Sequence, residues 1–295
     1  MVDIRSAAVA FAALELVPGE PSDLSALLSD GTTRRALIDR AAAHAGDGLL
    51  PYLCAELDHG RVESWVKRLD RLVAGGEGVP VLAGDADYPA GLAQCWDRPP
   101  VLSVRGRLAA DLPAVAVIGS RTADDRTAAA TAELAGAAVR GGFSVVSGLA
   151  AGVDTAAHEG ALDERGHTVA VLGTGICRVF PEQNRALAAR IAESGALLSQ
   201  FAPDAPRTST TFLRRNCVIA GVAAASVVMD GAERSGSRHQ AEQAVRYGRP
   251  VLLWEPTLAG QGWARRLVTD GAASFVEDAG QAVALARRAH DDQAG

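Results

Sequence analysis

Two hydrophobic rhythms divide the chain. Over residues 1–75 apolar positions recur every three or four residues and strand-like alternation is missing. This predicts helices over 7–16, 23–28, 33–44, 49–57 and 61–73, the first closed by a Pro18-Gly19 turn, in a small helical accessory domain. Gly75-Gly76-Glu77-Gly78 reads as a linker, because three glycines in four positions break helix and strand alike. Residues 79–114 form an irregular approach with room for one edge strand. From Val115 the pattern changes to short apolar runs, each followed by a small-residue turn, and most then by a helical stretch. The runs at 115–118, 144–147, 168–172, 196–200, 226–229 and 250–254 predict strands; the stretches at 124–140, 152–164, 182–194, 214–224 and 237–247 predict helices. Strands buried on both faces and alternating with helices imply right-handed crossovers. The expected fold is therefore α/β, a doubly wound, mostly parallel sheet over residues 79–295, which binds ligands beyond the carboxyl ends of its strands.

The turns at those ends share a chemistry. The first strand runs into Gly119-Ser120-Arg121, where glycine permits close approach, serine offers a hydroxyl and arginine a permanently charged fork. A helix starting at Thr122 would aim its unpaired N–H groups at any anion that Arg121 holds. Ser147-Gly148-Leu149-Ala150-Ala151-Gly152, Gly173-Thr174-Gly175 and Ser235-Gly236-Ser237 repeat small and hydroxyl residues at strand ends or helix starts, and together make a strip suited to anions. Taken singly, each is as readily a backbone requirement. No turn matches GxGxxG in the right context and GxxxxGK[ST] does not occur, which disfavours a standard dinucleotide fold and a P-loop NTPase. A second cluster is Phe212-Leu213-Arg214-Arg215-Asn216. Phe212 could stack on a base, Arg214 or Arg215 meet a phosphate, and Asn216 bond a base edge. The plainer alternative puts Phe212 in the core and pairs one arginine with Asp230 or Glu233.

Composition narrows the partners. The 295 residues are 48% apolar and 22% charged, as in ordinary globular proteins, so disordered and collagen-like classes are excluded. No apolar stretch reaches the ~18 residues of a membrane span and no signal-peptide pattern opens the chain, so a cytoplasmic protein without membrane contact is expected. The four cysteines are widely spaced and form no CxxC pair, so neither metal nor disulfide is expected. Net charge is -6, yet residues 207–249 carry seven arginines against three acids, a local basic face that fits a confined polyanion site. Asp154 and His158 stand four apart at a helix start; a dipole-stabilising carboxylate explains them better than half a metal site. Neither a GxSxG elbow nor a cysteine with an identifiable base supports nucleophilic catalysis, and no enzymatic activity or cofactor is expected.

Together these residues resemble the DNA-processing protein A (DprA, or Smf) family. The resemblance runs from about Val79 onward. It rests on Tyr88-Pro89, Pro99-Pro100-Val101-Leu102, Arg105-Gly106, Ile118-Gly119-Ser120-Arg121, Ser147 to Asp154, Ala170 to Gly175, Phe180-Pro181-Glu182-Gln183-Asn184, Leu198-Ser199, Phe212 to Asn216 and Glu233 to Ser237. The resemblance implies an extended Rossmann-like fold, single-stranded DNA binding, homodimerisation, and loading of the RecA recombinase in natural transformation. It also implies that nucleic acid is contacted by Gly119, Ser120 and Arg121, by Ser147 and Gly148, by Gly173, Thr174 and Gly175, and by Arg178 and Asn184. Phe212, Arg214, Arg215 and Asn216, and then Ser235, Gly236 and Ser237, complete that set. The chain departs from the family pattern at Asp230, at Arg238-His239-Gln240-Ala241 and at Trp254-Glu255-Pro256, which form the pocket's rim, and no winged-helix-sized segment follows. The competing readings are a phosphoribohydrolase-like enzyme, for which the Pro-Gly-Gly-x-Gly-Thr-x-x-Glu signature is incomplete here, and an immune nucleotide sensor.

Overall fold

The computed structural model describes residues 3–17, 22–39 and 48–294. Among these residues five helices come first: α1 (Ile4–Leu16), α2 (Ser22–Ser29), α3 (Gly31–Asp39), α4 (Leu49–Glu56) and α5 (His59–Ala74). Asp3 and Asp58 cap α1 and α5 by accepting the backbone N–H groups of Ser6 and Arg61. The Pro18-Gly19 turn and the expected end of the third helix lie outside the described residues. Phe11 of α1 stacks on Trp65 of α5 at 4.7 Å between ring centres. These helices do not close a core of their own. Leu53, Leu69 and Leu72 share one apolar cluster with Leu82, Val101, Leu172 and Ile176 of the sheet region.

Among the described residues, nine strands form a single sheet. After β1 (Val79–Leu82), α6 (Ala90–Ala93) and β2 (Val101–Gly106), the chain alternates through β3 (Ala114–Ile118), α7 (Asp125–Arg140), β4 (Ser144–Ser147), α8 (Val153–Asp163), β5 (Thr168–Val171), α9 (Arg185–Ser194) and β6 (Ala196–Ser199). It continues through α10 (Ser209–Val222), β7 (Ala225–Val228), α11 (Gly236–Arg246), β8 (Val251–Trp254), α12 (Glu255–Leu258), α13 (Gly262–Thr269), β9 (Ala273–Val276) and α14 (Ala279–Ala294). The order is β1-β2-β6-β5-β4-β3-β7-β8-β9, parallel from β6 to β9, with β2 antiparallel to both β1 and β6. The sheet is thus the doubly wound α/β architecture that the periodicity predicts. Where one edge strand was expected before Val115 there are two, β1 and β2. They form a hydrogen-bonded extension of the parallel core, in which Arg105 stands opposite Leu197.

Topology positions the site. From β3 the chain winds outward through β4, β5 and β6, then α10 carries it back to β7 on the other flank of β3. The connections leaving the carboxyl ends of β3 and β7 therefore run to opposite flanks and leave a crevice between their turns, the usual ligand position in such sheets. Among the described residues, no helix is long and apolar enough to cross a membrane, and no group of three or more His, Cys, Asp or Glu could hold a metal.

Candidate nucleic-acid interface

A cleft of about 760 Å³ occupies that crevice. Gly119, Ser120 and Arg121 form its β3 side, Gly231 and Ala232 follow β7, and the starts of α10 and α11 supply Thr208, Ser209, Ser235, Gly236 and Ser237. Phe212, Arg215 and Asn216 project from α10 into the same space. Three stretches far apart in sequence thus meet at one place.

Local structure around Arg121 differs from the sequence expectation in one respect. The helix after it starts at Asp125, not Thr122, and Asp124 caps it by accepting the Thr127 N–H at 2.8 Å. The helix start thus lies four residues beyond Arg121, with a carboxylate already at its N-terminus that takes one of its free N–H groups. The residues between form a tight turn in which the Ser120 hydroxyl accepts from the Thr122 N–H at 3.1 Å. Arg121 is left exposed, makes no ion pair among the described residues, and holds its guanidinium 5.1 Å from the centre of the Phe212 ring. At that distance the ring face favours the cation and fixes its direction without neutralising it. Gly152 lets the neighbouring turn pack here: its φ is +76°, and a Cβ would lie 2.4 Å from the Ser120 carbonyl oxygen.

Arg214 and Arg215 diverge, as adjacent helical residues must. Arg214 is half-buried and outside the cleft lining, whereas Arg215 is buried in the cleft floor. Arg215 lies 3.7 Å from Asp154, not beside Asp230 or Glu233; Glu233 instead pairs with Arg238 and Arg266. Burial pushes the Asp154 carboxyl up and the Arg215 guanidinium down, and each restrains the other's shift. Asp154 also accepts the Ala150 N–H at 3.2 Å. Gly148 makes room for the pair, since a Cβ there would fall 1.1 Å from Arg215 Nη1. Below them His158 is fully buried with Nδ1 2.8 Å from the Thr168 hydroxyl, and burial holds its pKa down to about 3, so the ring is neutral.

The remaining expected residues have other surroundings. Ser147 is buried and donates to the Val117 carbonyl at 2.7 Å, tying β4 to β3. Asn184 donates to the Leu149 carbonyl and the Thr155 hydroxyl, both at 2.9 Å. It thereby holds the 147–152 turn, in which Leu149 has φ +60°, a strained value for a side chain of that size. Gly173 lies under the Phe212 ring, Gly175 passes tightly beside the Ala202 and Pro203 carbonyls, and the Thr174 hydroxyl donates to the Arg178 carbonyl. These residues buttress the cleft and do not line it. Arg178 sits in an adjoining groove. Asn216 donates to the Gly236 carbonyl at 3.3 Å, linking α10 to α11. Ser235 caps α11 by accepting the Arg238 N–H at 3.1 Å.

The sequence reading did not place Arg207, Thr208, Ser209, Gly231 or Ala232 in the cleft, nor Asp154 as the partner of Arg215; it did place Gln240 on the rim, where its buried Nε2 has no hydrogen-bond partner among the described residues. Arg207 carried a signal in its cluster of basic residues. The role of Asp154 becomes visible only through its contact with Arg215 across the fold.

A sequence profile of the DNA recombination-mediator protein A family matches residues 80–286. The chain belongs to that family. Among its relatives, Protein Smf of Synechocystis is 38% identical over 173 residues, covering 57% of this chain and 44% of the relative. DNA processing protein DprA of Streptococcus pneumoniae is 37% identical over 171 residues, covering 57% of this chain and 60% of the relative. The matches thus span about half the length of these relatives. In fold, the S. pneumoniae DprA crystal structure superposes with a TM-score of 0.75 at 24% identity, covering 96% of this chain and 98% of that one. The Helicobacter pylori protein, whose structure concerns a single-stranded DNA binding mode, gives 0.62 at 24% identity over 69% of this chain and 94% of that one.

Proposed function

We propose that the cleft clamps the phosphate backbone of single-stranded DNA and that the chain, as a homodimer, protects that strand and delivers it to a RecA-type recombinase. The observation that carries this reading is Arg121: an exposed guanidinium, without an ion pair among the described residues, set over an aromatic face at the topological switch point. Arg215 behind it adds positive potential, and the starts of α10 and α11 add N–H dipoles. Nothing in this set reads a base edge in a fixed register, so binding is of low sequence specificity. The single-strand partner matches the binding mode studied in the H. pylori relative, and the recombination role matches the family's description. Asp154, the carboxylate in the cleft, is engaged by Arg215 and by the Ala150 N–H and is not free to act as a base.

Titration of single- and double-stranded oligonucleotides at several salt concentrations, with and without RecA, tests this. Preference for the single strand, with affinity falling steeply as salt rises, is expected. Equal affinity for both forms, or release of free base from a nucleoside monophosphate, would overturn it.

A further inference from the structure

A second groove, of about 710 Å³, adjoins the cleft and shares Arg207 with it. Its wall carries Arg105 from β2, Arg178 from the turn after β5 and Arg185 from the start of α9. Two carboxylates face these four cations. Glu182 is paired with Arg185 at 2.6 Å, and Glu77 accepts a hydrogen bond from the Cys177 thiol at 3.1 Å. Burial and Glu77 push that thiol up to about 12, so it adds no negative charge. Arg105, Arg178 and Arg207 are exposed and make no ion pair among the described residues. An exposed groove with more cations than acids, three of them unpaired, has the electrostatics of a polyanion track.

The passage from cleft to groove is built of rings and guanidinium groups. Arg121 and Arg215 lie 5.1 and 5.5 Å from the Phe212 ring centre. Phe212 meets Phe180 edge-on at 6.0 Å between centres, and Arg207 covers Phe180 at 4.3 Å. Two adjoining aromatic rings with cations at either end suit a chain of bases and phosphates. Resting on the single-strand reading of the first cleft, we propose that the strand leaves it across Phe180 and Arg207 into the second groove, where Arg105, Arg178 and Arg185 bind further phosphates. The footprint on DNA is then set by two sites joined at Arg207.

The test compares oligothymidylates of about four and about twelve nucleotides, within the range of single-strand footprints, on the wild-type protein and on the double variant Arg105→Ala/Arg185→Ala. Both side chains are exposed, and neither lines the first cleft. The wild type should bind the longer strand more tightly. The variant should keep the short-strand affinity and lose on the order of tenfold for the long one, with a salt slope shallower by up to about 1.4, roughly 0.7 per lost contact. Retained short-strand binding also shows that the variant is folded. Unchanged affinity and slope for both lengths, equal loss for both, or no gain from length in the wild type would overturn the second groove. Absence of any oligonucleotide binding by the wild type would instead refute the single-strand reading itself.

Discussion

His158 shows how strongly a single position depends on its surroundings. In the sequence it stands four residues from Asp154 and invites a charge-pair or metal reading; in the fold it is a neutral ring sealed under the cleft floor. That neutrality has a thermodynamic consequence. Between an unfolded value of 6.5 and a folded value of about 3, the unfolded chain takes up a proton that the native one refuses. The stability His158 confers is complete above pH 6.5 and is lost as pH falls toward 3, at up to about 1.4 kcal/mol per pH unit. Asp154, raised by burial, acts in the opposite sense, since its folded form takes the proton first. Urea unfolding at pH 7 and pH 5 separates the two, because Asp154 is common to wild type and His158→Gln. The wild type should lose more stability than the variant on acidification; equal losses would show that His158 is not held neutral.

At the scale of elements, the alternation of apolar runs with helices was enough to place the six central strands and the helices between them, because strands buried on both faces leave a continuous apolar signature. Helix starts were less legible. The α10 helix begins at Ser209, five residues before the expected 214, because Thr208 and Thr211 close a capping box by hydrogen bonds that no hydrophobic period records. Strands β1, β2 and β9 lie at the flanks of the sheet; β1 and β2 are largely buried but sit among prolines and glycines that interrupt the strand–helix rhythm, and β9 is only partly buried. The site was legible in its arginine, glycine and hydroxyl turns, since these residue types announce anion chemistry locally. Its ion pair was not, because Asp154 and Arg215 meet only when α8 and α10 converge. Gly148 enforces that meeting. Gly148→Ala should displace Arg215 from the floor, cost about 1–3 kcal/mol of stability through overpacking and weaken oligonucleotide binding. Thermal unfolding and a binding titration check it; wild-type values in both would show that Arg215 does not need that space.

For the whole molecule, the N-terminal helices and the sheet are joined by one apolar cluster, in which Leu53 and Leu69 meet Leu82 and Ile176. The periodicity of residues 1–75 shows that they are helical but not that they share this cluster, because it says which face of a helix is buried and not against what. We expect the two parts to unfold in one transition, with equal calorimetric and van't Hoff enthalpies. Two separated transitions would show that the helices are an independent domain.

If Arg121, which has no ion pair among the described residues, holds a single-strand phosphate at the switch point, Arg121→Ala must weaken binding. The variant and the wild type are titrated with single-stranded oligonucleotides of several sequences over a range of salt. Affinity should fall by a similar factor for every sequence, and the salt slope should become shallower by about 0.7, one phosphate contact. Unchanged affinity, or a loss confined to particular sequences, would contradict it.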